Sequence, residues 1–316
     1  MIVDPKLSFR SVTMNIRRDN LVFFALSLLI TLIYRRLQVT ELSLPAAPLT
    51  ILGAAITIFL AFRTNTAYDR WWEARTLWGG MVNQSRTLIR QAITFAGSAE
   101  PMVPEGGGEM RDVEDDLVFS PFVHKMAHLQ MAFVNATRAH LRQQDPLAAV
   151  ERYLSPDDRN LLAGVQNVPA GLLRRMGIEL RRARRLGLLD TIQLSAMDST
   201  LSDLTDILGG CERIKNTPLP RQYDTVPRFG IYAFSLLLPL GLVSSLGWWN
   251  PFICSMITFL FIAIDSIGSN IEAPFENRIH DVPMSTLCRT IEINLSQMVG
   301  EKECPTPMEP IFGVLL

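Results

Sequence analysis

The sequence predicts an all-α membrane protein: four transmembrane helices in two hairpins, with a large helical cytoplasmic region between them. Three observations carry this. Apolar residues gather in two blocks, 21–62 and 229–264, separated by a long stretch of mixed polarity. No segment sustains the alternation of a half-buried strand. The third is the run LTILGAAITIFLAFRTNTAYDRWWEARTLWGG at 49–80, where an uncharged helix passes without a breaker into a Trp- and Arg-rich continuation. Trp and Arg together mark the level where lipid meets water, so Arg70, Trp71 and Trp72 read as an interface belt. A helix crossing that level in one piece couples a membrane part to a soluble part.

The elements follow in order. Residues 1–20 form a cytoplasmic N-terminal segment. A spanning helix needs about 20 mostly apolar residues. The first apolar run, 21–34, is short, and the second, 42–62, is adequate despite Pro45 and Pro48; together, 21–62 make the first hairpin. FGIYAFSLLLPLGLVSSLGWW at 229–249 is a full span without a charge, and neighbouring helices satisfy the carbonyl that Pro239 frees. The run 251–264 is short again and completes the second hairpin, 229–264. Short spans imply tilting, or burial within an oligomer. Residues 265–316 form a C-terminal cytoplasmic segment.

Lys6, Arg10, Arg17 and Arg18 precede the first span, and Arg63, Arg70 and Arg75 follow the second. Arg213, Lys215, Arg221 and Arg228 precede the third. The positive-inside rule therefore puts both termini and the region 63–228 in the cytoplasm, with Arg35 and Arg36 on the wrong side for it. Within that region, helices are predicted near 82–95, 121–143, 147–165, 169–186 and 188–209. Ser155 and Pro156 look like a helix cap and first turn, and 100–116 reads as a loop rich in Gly, Pro and acid.

Composition excludes several classes. Mean hydropathy is +0.19 with 48% hydrophobic and 19% charged residues, between a transporter and a soluble enzyme. A net charge of −1 gives no global footprint for nucleic acid. Cys211, Cys254, Cys288 and Cys304 are scattered without a C-x-x-C pair, so neither a disulfide frame nor a zinc site is indicated. No phosphate loop, nucleophile elbow or dinucleotide fingerprint is present, and no enzyme or cofactor is expected.

Ala54, Ile58 and Phe62 stand at i, i+4 and i+8 and so share one helix face. Around an axis of several copies, that stripe makes a narrow apolar throat, where an ion loses hydration at a cost of several kcal/mol or more. The same spacing also fits a lipid-facing or packed stripe. Just below, Thr64, Asn65 and Thr66 suit a wet vestibule or ordinary helix contacts. Asp265, Glu272, Glu276 and Asp281 attract cations or, more in keeping with the cost of unpaired charge near lipid, pair with Arg70 or Arg75. Asp112, Glu114, Asp115 and Asp116 lack the spacing of an EF-hand loop. His124 and His128 have metal-binding spacing, yet HKMAH lacks the Glu of a zinc hydrolase. Arg174, Arg175, Arg181, Arg182, Arg184 and Arg185 form a basic helix that contacts anionic lipid or ions, or is simply solvated.

These residues resemble the bestrophin ion-channel family, its bacterial members in particular. The likeness is strongest at FRTNTAYDRWWEARTLWGG and continues at ERIKNTPLPRQYD and GSNIEAPFEN. It implies a homopentamer in which the second helix of each subunit lines a central pore. It places the three-layer neck at Ala54, Ile58 and Phe62, with Ala54 where bulkier residues are usual, and it implies a second, cytoplasmic aperture. Animal members carry a calcium clasp after the Pro-Phe pair. Here Pro274-Phe275 is followed by ENRIHDVPMSTLC, whose two acids, Glu276 and Asp281, fall short of the six to eight oxygens calcium takes, so calcium activation is not expected.

The function so implied is passive conduction of small monovalent ions through an apolar neck in the cell inner membrane. The partners are copies of the chain, membrane lipids, and sodium or chloride. Nearness to the bacterial members favours sodium-type cation selectivity, with a chloride or anion channel of the same family as the alternative. A non-conducting membrane scaffold or receptor is the remoter one.

Overall fold

The computed structural model describes residues 5–96, 120–310 and 313–315, and among them the regular elements are helices joined by turns. The chain opens with α1 (Pro5–Arg36), then α2 (Ala46–Ala96), a helix of 51 residues. A second helical group follows: α3 (Pro121–Leu141), the short α4 (Pro146–Val150) and α5 (Pro156–Leu162), α6 (Val168–Arg185) and α7 (Thr191–Asn216). Then come α8 (Arg221–Leu246), α9 (Asn250–Ile271) and α10 (Met284–Met298). The predicted loop at 100–116, with Asp112, Glu114, Asp115 and Asp116, lies outside the described residues.

The expected continuity of the second span into the Trp-rich segment is present, because nothing between Ala46 and Ala96 stops a helix: Pro48 sits in the first turn, where its missing N–H costs nothing. Elsewhere local chemistry cuts finer than periodicity. The helix expected over 147–165 is broken into α4, a 3-10 turn at Glu151–Tyr153 and α5. Pro156 pushes Ser155 into extended backbone, and the Ser155 hydroxyl accepts from the Asp158 N–H as a cap. Asp190 opens α7 with a capping box completed by Gln193, three residues beyond the predicted start.

Two cores share α2. Leu49, Ile56 and Leu60 of its first half meet Ile231, Phe234 and Leu238 of α8 and Cys254 of α9. The pairs Leu49–Gly241, Gly53–Phe234 and Ile56–Gly230 run in opposite sequence order, so α2 and α8 are antiparallel. A Cβ at Gly241 would meet the end of the Leu49 side chain, so the glycine lets Leu49 lie flat against α8. The turn between α8 and α9 passes through Gly247 at φ +55°, against which the Arg35 guanidinium lies. Buried Asn250 joins the helices by donating to Thr31 Oγ1 (3.1 Å) and to the Pro239 carbonyl (3.2 Å).

The second half of α2 is instead the spine of a larger helical body. Trp78, Met81, Leu88, Ile89 and Ala92 are buried among α3, α6, α7 and α10. Outside the first half, apolar residues stay exposed in number: Leu21, Leu29, Ile51, Phe229, Leu236, Trp249, Phe252, Met256 and Leu260. By length and composition, the segments 40–96 and 221–271 are apolar enough to cross a membrane, whereas α1 falls short of that measure. The expected boundaries at 62/63, 228/229 and 264/265 all fall inside helices α2, α8 and α9.

Candidate ion pathway

Helix α2 turns Ala54, Ile58 and Phe62 outward together, with Ile58 57% and Phe62 64% exposed on the single chain. The stripe continues downward through Asn65 and Asp69, both exposed. Asp69 lies seven residues from Phe62, two turns on, and makes no ion pair among the described residues. Beside Phe62, a groove lined by Phe59, Thr66, Tyr223 and Val226 separates α2 from the start of α8. The Thr66 hydroxyl is used locally, donating to the Phe62 carbonyl at 2.9 Å. Thr64 faces Gly268 of α9 and serves helix contact, while Asn65 keeps the outward position.

One residue beyond Phe62 the helix turns inward, and Arg63 is 1% exposed. Its guanidinium pairs with Asp265 and Asp224, donates to Ser269 Oγ at 2.8 Å and lies 3.6 Å from Glu272. Arg228 joins the same group through Asp224 (3.2 Å) and Asp265 (3.4 Å). Two cations thus stand among three carboxylates, tying the middle of α2 to α8 and α9. A lone buried charge is costly, whereas this one is paired and hydrogen-bonded on several sides.

Of the four acids expected to pair, Asp265, Glu272 and Glu276 do so with other partners, while Asp281 accepts the Arg278 backbone N–H and makes no ion pair among the described residues. Arg63, Arg228 and Lys215 take Asp265, Glu272 and Glu276, not Arg70 or Arg75. Arg70 donates to the carbonyls of Ile214 (2.7 Å), Thr217 (2.8 Å) and Glu272 (3.2 Å), closing the C-terminal end of α7. Trp71 donates to the His280 carbonyl at 3.0 Å and leans on the larger helical core; Trp72 stays exposed and stacks on Tyr68. Two members of the expected belt are therefore engaged by their own chain. The signal for Arg63 was available: an Arg set one residue from an apolar stripe must face elsewhere.

The remaining candidates have ordinary partners. His128 contacts Glu301 at 2.7 Å, and no group of three metal-type ligands occurs among the described residues. In the basic helix α6, Arg175 binds Asp158 (2.6 Å) and Glu179 and Arg184 donates to Thr191, while Arg174, Arg181, Arg182 and Arg185 remain exposed. Burial works against charge on Asp158, yet Lys125, Ser155 and Arg175 hold its carboxyl down to about 2.

A long helix that is outwardly apolar in one half and core-forming in the other defines an integral membrane protein with a helical extramembrane body. Residues 7–297 match the model of the bacterial and fungal bestrophin proteins, and the chain belongs to that family. The Escherichia coli (strain K12) voltage-dependent anion channel-forming protein YneE is 36% identical over 84% of this chain and 80% of its own length. Protein mll4386 of Mesorhizobium japonicum, named in the same way, is 32% identical over 83% of this chain and 77% of its own. The crystal structure of a bacterial bestrophin homolog from Klebsiella pneumoniae superposes with a TM-score of 0.79 at 30% identity, covering 90% of this chain and 98% of that one. The chain is an ion channel protein of the membrane and not an enzyme.

Proposed function

We propose that the chain assembles as a homopentamer in the inner membrane, with α2 of each copy lining the pore and Ala54, Ile58 and Phe62 forming its neck. The observation that carries this reading is the outward apolar stripe on α2, which its own subunit leaves uncovered at Ile58 and Phe62. The wetter surface below it is Asn65 and Asp69; Thr64 and Thr66 have the helix partners described above. The four spans fall within 21–62 and 229–264, and the cytoplasmic parts are 1–20, 63–228 and 265–316, so both termini are cytoplasmic. Lipid covers the outer apolar faces.

The conducted ion is proposed to be a small monovalent anion, chloride above all. The support is that YneE and mll4386 are both named as anion channel-forming proteins. The sodium-type expectation from the sequence has no such support among these relatives. One observation favours it nonetheless: Asp69 presents a carboxylate on the stripe itself, and a ring of carboxylates attracts cations.

Reversal potential across a planar bilayer with purified protein, in an asymmetric NaCl gradient, tests the choice. A shift toward the chloride potential supports the anion reading. A shift toward the sodium potential, reversed by Asp69→Asn, overturns it in favour of the carboxylate ring.

A further inference from the structure

Away from the pore stripe, a cavity of about 360 Å³ opens between the end of α3, the 3-10 turn at Glu151–Tyr153 and the start of α10. Arg138, Arg152 and Arg289 line it together with Asn135, Ser285 and Glu292. Arg142 reaches Ser285 Oγ from the end of α3. Four guanidiniums therefore gather here against two carboxylates, Glu292 in the wall and Asp281 behind Arg142.

The carboxylates are already committed. Glu292, 2% exposed, accepts from Asn135 (2.7 Å) and Arg152 (2.9 Å) and faces Arg289 at 3.0 Å. Asp281 accepts the Arg278 N–H at 2.9 Å and, among the described residues, comes within 4.0 Å of no guanidinium. Arg138 and Arg142 are left with one shared neutral oxygen, Ser285 Oγ, at 3.5 Å and 2.8 Å. Among the described residues neither has a carboxylate within salt-bridge reach, and the Nε of each is buried without an acceptor. Burial, and then the charge on Arg138, make the Arg142 cation harder to hold than usual.

The plain explanation is that cations at the end of α3 answer its dipole. That dipole amounts to about half a charge, against two whole ones converging on a single hydroxyl. Ser285 is moreover the second residue of α10, which sets the positive end of a 15-residue helix's dipole beside the same hydroxyl. Two forked donors, a hydroxyl and a helix start suit a tetrahedral oxyanion, which accepts several charge-assisted hydrogen bonds at once. The cavity is larger than one phosphate, leaving room for a compact organic body against Asn135 and Arg152.

We infer that this cavity is a binding site for a phosphate group, free or carried by a small phosphomonoester, held by Arg138, Arg142 and Ser285. The site is independent of the conducted ion.

The test is isothermal titration of the purified full chain with inorganic phosphate and, separately, glycerol phosphate, alongside R142Q and S285A. Wild type is expected to bind at least one probe saturably, with R142Q weakening it by about tenfold or more and S285A by less. R142Q is also expected to melt no lower than wild type without phosphate, because it relieves a like-charge contact. Tighter binding of the ester assigns the rest of the cavity to its organic body, and equal binding assigns phosphate alone. No saturable binding of either probe up to about 10 mM overturns the site. So does undiminished binding by R142Q, or a lowered melting point in R142Q with S285A binding as wild type does.

Discussion

The two halves of α2 differ in what they leave uncovered. From Trp78 onward its apolar residues are sealed within their own subunit, and Trp78 itself is wholly buried. Before Arg63 the core is small, and Ile51, Ile58, Phe59 and Phe62 face outward. The same backbone thus passes from a self-sufficient environment to one that needs lipid or further copies of the chain. Exposed apolar surface on that scale marks a membrane or partner face. Arg63 stands at the change, held by acids from α8 and α9.

That contrast is open to breakage on each side. Trp78→Ala removes a fully buried indole and is expected to cost about 3–5 kcal/mol, read as a large drop in the melting temperature of detergent-purified protein. Arg63→Ala leaves buried Asp265 with only its longer contact to Arg228 and is expected to cost somewhat less, about 3 kcal/mol, in the same assay. Stability within 1 kcal/mol of wild type in both variants would contradict the division drawn here.

A smaller loss, about 1–3 kcal/mol, is expected for Gly241→Val, which forces α8 off Leu49; undisturbed melting would mean the two helices have room to shift. The helical body around the second half of α2 should also carry an acid sensitivity. The Asp158 carboxyl is held at about 2, below its ordinary value, so its stabilisation is complete above about pH 4 and lost as pH falls toward 2. The contribution is about 2 kcal/mol, and Asp158→Asn should flatten that part of the stability–pH curve.

Much of this was legible in the sequence. Apolar blocks announced long apolar helices, and the unbroken run 49–80 announced one continuous helix, because both are local properties; that α1 packs on α9 and α8 and not on α2, its partner in the expected first hairpin, was not legible. The stripe Ala54, Ile58 and Phe62 followed from helical period alone. What stayed hidden depends on partners far apart in the chain. Asp265 lies 202 residues from Arg63, and no spacing rule chooses Arg63 over Arg70 for it. The cluster of Arg138, Arg142 and Ser285 likewise joins helices separated by more than a hundred residues. The Ser155 cap with Pro156 was read from the sequence and is present, whereas the Asp190 capping box was written locally and passed over.

The central claim is that the outward stripe of α2 narrows an ion pathway, and single-channel recording of Ile58→Ala and Phe62→Ala tests it most directly. Both side chains are largely exposed on the subunit, so neither change should unfold the protein. The account predicts larger unitary currents in each variant with the melting temperature retained. Unchanged currents in both would remove Ile58 and Phe62 from the pathway and return the stripe to lipid.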